Sequence, residues 1–214
     1  MSRPISDTAY TETGSVRHRI LVATRNCHKL REFAELCGPN FEVCGMESIS
    51  GVPQIEESGE TFESNALIKA EFASNFFSHW VLADDSGLEV DALRGAPGVL
   101  SARFAGEKAT DAENRRLLLR RLEKLGVRGK HRTARFRCAL ALAKSGKAVL
   151  SASGTVEGII VESETGMAGF GYDPIFRPVG YSKTFAELAS EIKNEISHRG
   201  RALRELQRAW VKLF

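Results

Sequence analysis

Along the chain, apolar positions follow two rhythms that succeed one another. RILVAT at 19–24 is a near-continuous β-like run, and it gives way to LREFAELC, where Leu30, Phe33 and Leu36 recur at helical spacing. FEVCGM predicts a second short strand. TFESNALIKAEFASNFF predicts a helix with Phe62, Ala66, Ala70, Ala73 and Phe77 on one side, and WVLADD predicts a strand that closes on Asp84 and Asp85. TDAE offers a capping box, in which Thr110 and Glu113 satisfy each other's backbone donors ahead of NRRLLLRRLEKLG. TARFRCALALA alternates as a half-buried strand, and AVLSASGTVEGIIV returns across the turn KSGK as its hairpin partner. The last segment opens on Ser197 as an N-cap and is expected to bury Leu203, Leu206 and Trp210. Helices and strands alternate throughout, which gives an α/β or mixed α+β class.

Composition narrows the class without changing it. The 214 residues are 43% hydrophobic and 27% charged, the balance of an ordinary globular domain with a sizeable core. A formal net charge of +3 permits anionic ligands without demanding nucleic acid. Cys27, Cys37, Cys44 and Cys138 show neither CxxC spacing nor paired histidines, so reduced thiols in a cytosol are expected rather than zinc or disulfides. No apolar stretch approaches membrane-spanning length, and MSRPISDTAYTETGS lacks the apolar core of a signal peptide. Residues 1–15 are expected to form a disordered extension, with one two-lobed domain over 16–214.

Five features could carry chemistry. In ATRNCHK a strand feeds a helix through a polar loop, so backbone N–H groups, the positive helix end and Lys29 converge where an anion binds well, although GxxxxGK is absent. Lys69 falls on the apolar side of its helix, with Phe62, Ala66, Ala73 and Phe76, and must either extend past its neighbours or meet an anion. Glu56, Glu57 and Glu60 precede that helix and Asp84 and Asp85 follow it. Carboxylates facing phosphates are how Mg²⁺ is held, and strand alternation allows only one of the two aspartates into such a site, the other ordering a turn. In GFGYDPIF the flanking glycines let Phe170 stand clear as a stacking surface, while SHRG places His198 and Arg199 in the first turn of a helix. Arg115, Arg116, Arg120 and Arg121, interleaved with leucines, read as a solvated helix face.

TRNCHKLREF, EESGETFESNALIKA, ADDSGLEVDALRGAPGVLSARFAG, GFGYDPIF and SHRGRAL occur in one order over nearly the whole chain from about residue 18. This arrangement resembles the inosine triphosphate pyrophosphatase family, whose members hydrolyse non-standard purine nucleoside triphosphates to monophosphate and pyrophosphate. The resemblance implies an elongated, two-lobed mixed α/β fold with flanking helices and a nucleotide cleft between the lobes, a homodimer, and Mg²⁺ as cofactor. It implies a phosphate-binding loop at Thr24, Arg25, Asn26, Cys27, His28 and Lys29. Glu57 and Asp85 match metal ligands, Asp85 also the proton acceptor, and Lys69 a lysine facing the triphosphate. Ser86 matches a substrate contact. Phe170, Gly171, Tyr172 and Asp173 match the base-binding segment, and Lys193, His198 and Arg199 the remaining base contacts. Many members carry glycines where this chain has Arg25 and His28. Two alternatives stand beside this reading: a Maf-like nucleotide pyrophosphatase selective for other bases, and a non-catalytic nucleotide- or RNA-binding module built on the arginine helix. Neither membrane nor nucleic acid is required as a partner.

Overall fold

Two strand-helix-strand crossovers open the structure. The computed structural model describes residues 8–10, 16–49, 51–210 and 213. Strand β2 (Val16–Val22) leads through helix α1 (Cys27–Cys37) to β3 (Phe41–Cys44), and helix α2 (Phe62–Ala73) leads on to β4 (Trp80–Val90). Both β3 and β4 pair with β2 in parallel, with Ile20 beside Val43 and Trp80, as crossovers through helices require. This parallel arrangement brings the carboxyl end of β2 level with the first residues of β4, where Ala23 N–H donates to the Leu82 carbonyl at 2.8 Å.

Helix α3 (Asp111–Lys124) precedes a hairpin of β5 (Thr133–Lys144) and β6 (Lys147–Ile160), closed by a two-residue turn with both Ser145 and Gly146 at positive φ. Strand β7 (Phe176–Pro178) adds antiparallel to β6, and helices α4 (Ser190–Ile196) and α5 (His198–Trp210) end the described chain. With the short edge strand β1 (Thr8–Tyr10), the sheet is seven-stranded in the order β1-β2-β4-β5-β6-β7, with β3 joined to β2. The fold is mixed α/β.

Tertiary contacts divide the chain into two units: residues 1–84, 139–152 and 203–214, and residues 85–138 and 153–202. The first has a core of Ile20, Leu21, Val22, Phe33, Val81, Leu82, Leu140, Leu142 and Leu203, all at most 1% exposed. The second is built around Leu88, Leu118, Leu122, Phe136, Phe176 and Phe185. Strands β4, β5 and β6 and helix α5 each pass from one unit into the other.

Three expectations need correction. Within the extension expected to be disordered, Thr8–Tyr10 forms β1, antiparallel to Val16–His18; ladder hydrogen bonds order a segment that contains the strand formers Thr and Tyr. Residues 1–7 and 11–15 lie outside the described residues. Helix α2 stops at Ala73 rather than running to Phe77, because Ser74 caps it and its hydroxyl takes the Gly146 N–H at 2.9 Å; Phe76 is left 42% exposed. Strand β4 does not close on its aspartates: it runs through Asp84, Asp85, Ser86 and Gly87 to Val90, and no turn forms there. Its register with β2 ends at Leu82, so its other sheet neighbour, β5, supplies the pairing that overrides the local turn preference beyond it.

Candidate active site

In the first unit the loop from Thr24 to Lys29 is organised by its own side chains. Asn26 is the N-cap of α1 and its Oδ1 accepts the N–H groups of His28 at 2.9 Å and Lys29 at 3.2 Å, while the Asn26 N–H donates to Thr24 Oγ1 at 3.1 Å. Two first-turn donors are therefore already engaged. Arg25, Cys27 and His28 project from this loop and are exposed. Lys29 Nζ forms an ion pair with Oδ1 of Asp84, a carboxylate whose side chain is fully buried. Asp84 thus answers a cation of the loop, and does not order a turn.

Lys69 lies on the buried side of α2 with Phe62, Ala66, Ala70 and Ala73, at 6% exposure. Its amine meets an anion rather than extending to water: Nζ lies 3.3 Å from Glu57 Oε1. The carboxylate loop is held over the helix, since Gly59 N–H donates to Asn65 Oδ1 at 2.8 Å and Thr61 caps α2 with a reciprocal bond to Ser64. The Glu57 side chain remains 33% exposed, accessible to a ligand in a way that Asp84 is not.

In the second unit the expected base contacts form one connected set. Arg199, 1% exposed, donates through Nη2 to Ser86 Oγ at 2.9 Å. Lys193 Nζ pairs with Asp173 Oδ2 at 2.6 Å, and the same oxygen accepts the Phe170 N–H at 2.9 Å. Glycine is required at 169: its φ is +75°, and a Cβ there would come within 2.2 Å of the Asp173 carboxylate. The Phe170 ring carries both cations near it, Lys193 Nζ at 5.0 Å and Arg199 Cζ at 5.9 Å from the centroid. His198 stacks on Phe136 at 4.8 Å with 10° between the planes. Tyr172 OH donates to the Ser101 carbonyl at 2.9 Å; burial, with the Asp111 carboxylate adding to it, pushes the phenol pKa upward, so it stays a donor.

One unit thus holds two ion-paired lysines and the other two buried cations beside the Phe170 ring. The family model of the Ham1 family matches residues 20–209. This chain belongs to the Ham1 family. It is 48% identical over 197 residues to a protein of Desulforamulus reducens named dITP/XTP pyrophosphatase, covering 92% of this chain and 97% of that one. Among solved structures it is similar to a HAM1 protein from Coxiella burnetii, with TM-score 0.80 and 41% identity over 91% of this chain and 98% of the other. It is also similar to the Ham1 protein of Staphylococcus aureus, with TM-score 0.78 and 39% identity over 92% of this chain and all of that one.

The Ham1-family match spans all seventeen residues expected at the site. Among the described residues no three His, Cys, Asp or Glu side chains converge as a closed metal cage. Mg²⁺ is held by one or two carboxylates with water and substrate phosphates completing its shell. Asp85, 6% exposed on β4, and the partly exposed Glu57 are donors of that kind. The basic helix loses its claim as an RNA surface in one respect: Arg116, Arg120 and Arg121 are exposed, but Arg115 turns inward, donating to the Gly171 carbonyl at 2.7 Å and pairing with Glu164 at 3.0 Å. Sequence patterning missed Arg115, along with Asp84 and Ser101, because each is explained only by a partner far away in the chain.

Proposed function

We propose that the chain hydrolyses non-standard purine nucleoside triphosphates, ITP, dITP and XTP, to the monophosphate and pyrophosphate in a reaction that needs Mg²⁺. The observation that carries this reading is the pair of lysines, Lys29 and Lys69, each turned toward a carboxylate rather than toward open water. A triphosphate brings several negative charges, and such cations neutralise it; phosphate oxygens can replace Glu57 as the partner of Lys69 and release that carboxylate. The dITP/XTP pyrophosphatase name of the Desulforamulus reducens relative, at 97% coverage of its length, supports the substrate class.

In this reading Glu57 and Asp85 hold Mg²⁺, which when bound offsets phosphate charge and acidifies water. Asp85 orients the attacking water and accepts its proton. The water oxygen bonds to the α-phosphorus, the bond from that phosphorus to the bridging oxygen breaks, and pyrophosphate departs. At the other end of the substrate, hypoxanthine and xanthine present an acceptor oxygen at position 6 where adenine presents an amine. Donors from Arg199 and His198 pair with the first and are left unsatisfied by the second. The same reading takes the enzyme to be a cytoplasmic homodimer. Four free cysteines fit a reducing compartment, and among the described residues no helix is long and apolar enough to cross a membrane.

The test is pyrophosphate release over ITP, dITP, XTP, ATP, GTP, CTP and UTP, with Mg²⁺ and with chelator. Turnover confined to the first three, yielding pyrophosphate and lost with chelator, is the expected result. Preference for another base would favour the Maf-like alternative, and no turnover with salt-sensitive RNA binding would favour the binding module.

A further inference from the structure

The segment expected to receive the base is gripped from outside by a helix that the function leaves unused. The capping box at Thr110 and Glu113 fixes the start of α3, with the Thr110 N–H donating to the Glu113 carboxylate at 2.8 Å. Asn114, 1% exposed, then pins the helix to the preceding loop, accepting the Ala105 N–H at 2.8 Å and donating to the Ala102 carbonyl at 3.0 Å. From this fixed base, Asp111 and Arg115 stand one turn apart on one helix face. Asp111 Oδ2 accepts the Gly171 N–H at 2.7 Å, and Arg115 Nη1 donates to the Gly171 carbonyl at 2.7 Å. Both polar groups of one peptide residue, immediately after Phe170, are held by α3.

Arg115 does more than hold Gly171. Its Nη2 pairs with Glu164 Oε2 at 3.0 Å, so one planar guanidinium joins the two ends of the loop from 164 to 171. Residues 163–169 of that loop are exposed, and Met167 is fully so. The middle of the loop is held from its other side, Thr165 N–H donating to the Pro174 carbonyl at 2.9 Å and Ala168 N–H to the Ala186 carbonyl at 3.2 Å, while Arg115 ties the ends at Glu164 and Gly171. The Arg115 side chain is 13% exposed, and its Nε is buried with no hydrogen-bond partner among the described residues. An unsatisfied buried donor is costly, so the side chain is placed by its two outer nitrogens at the expense of the third.

We propose that Arg115 and Asp111 are positioning residues for base recognition: by fixing Gly171 and closing the 164–171 loop, they set the angle at which Phe170 meets the purine. The proposal rests on the nucleotide-hydrolase reading above. It concerns the base end of the substrate alone, so the loss should fall on KM and on selectivity rather than on the chemical step.

The experiment combines steady-state kinetics on ITP and ATP with hydrogen exchange of peptides covering 162–172, for wild type, Arg115→Ala and Arg115→Lys. In Arg115→Ala the ITP KM should rise roughly tenfold, equivalent to ~1.4 kcal/mol of binding, with kcat held within about twofold. Its ITP-over-ATP preference should shrink, and exchange across 162–172 should accelerate. Arg115→Lys reaches one end of the loop but not both, and should fall between the two. Asp111→Asn, which weakens only the Gly171 amide bond, should move KM in the same direction by less. Unchanged KM and preference in Arg115→Ala would overturn the proposal. So would an equal fall in kcat for both nucleotides with a lowered Tm, the mark of a purely structural residue. If wild type fails to hydrolyse ITP, the functional reading itself falls; unchanged exchange in Arg115→Ala would then overturn the loop tie as well.

Discussion

The residues expected at the site are held differently in the two units. In the second, Lys193, Asp173, Arg199 and Ser86 are paired inside a nearly closed shell, with Lys193 and Asp173 at 9% and 4% side-chain exposure. In the first, the pairs are lopsided: a buried Lys69 meets a Glu57 that is one-third exposed, and the Thr24–Lys29 loop keeps Arg25, Cys27 and His28 in solvent. A buried, satisfied set is preorganised and suits the recognition of one rigid base. A half-open set can exchange partners, and suits phosphates that arrive with a metal ion and leave as pyrophosphate. Asp85, 6% exposed, belongs to the second unit, so the contrast sets the base contacts apart from Lys69 and the Thr24–Lys29 loop by how tightly each group is already held.

The largest expected effect lies with the chemistry. Asp85→Asn removes a metal ligand and the proton acceptor together, and turnover should fall by roughly 10² to 10³, the scale of a preorganised electrostatic group. Near-normal turnover of this variant at saturating Mg²⁺ would contradict the assignment.

Next comes stability. Lys193→Met removes the cation that answers the Asp173 carboxylate in a closed environment and should cost about 3 kcal/mol in denaturant unfolding. Lys69→Met strands only a carboxylate that water can reach, on a helix face where methionine packs well, and should cost less than about 1 kcal/mol. Equal losses in the two variants would break the comparison between the units.

A smaller change is expected at Tyr172→Phe, which removes the bond to the Ser101 carbonyl while keeping the ring; a loss of about 1 kcal/mol should appear as a modest drop in Tm. No change would mean that the hydroxyl adds nothing to the rigidity of the base segment.

The smallest effect is with pH. Glu113 and Glu187 have pKa values lowered first by the backbone N–H groups of Thr110 and Thr184, and Asp91 has one lowered first by the Thr133 hydroxyl and further by Arg135. Folded values below the ordinary 4.5 and 3.8 mean that their stabilisation is complete above that range and is lost as pH falls through it. Melting temperatures should be insensitive to these groups near neutrality and decline in acid. Glu113→Gln should flatten part of that decline, and an unchanged acid slope would remove Glu113 from the explanation.

What the sequence made legible was local. Helical spacing located α1 and α3, the Thr110–Glu113 capping box marked the start of α3, and alternation around KSGK identified the hairpin. The inward placement of Lys69 was also readable, because a helix face is a local property. What escaped was decided by partners far along the chain. Asp84 and Asp85 looked like the end of a strand, one of them ordering a turn, yet the strand continues to Val90 and Asp84 is answered by Lys29, 55 residues away. Arg115 looked like one more solvated arginine, yet its carbonyl partner lies 56 residues on. Spacing alone carries no signal for such pairs.

The most direct measurement is a two-substrate comparison of Lys69→Met and Arg199→Met, taking kcat/KM for ITP and for ATP in each folded variant. Both substitutions keep apolar volume: Lys69→Met leaves a Glu57 that water reaches, and Arg199→Met removes the bond to the Ser86 hydroxyl. The expected result is that Lys69→Met lowers both nucleotides by the same factor, because they share a triphosphate. Arg199→Met should lower ITP roughly tenfold more than ATP, shrinking the ratio between them. A parallel fall of both nucleotides in Arg199→Met would contradict the separation of the base contacts from Lys69 and return Arg199 to holding phosphate or structure.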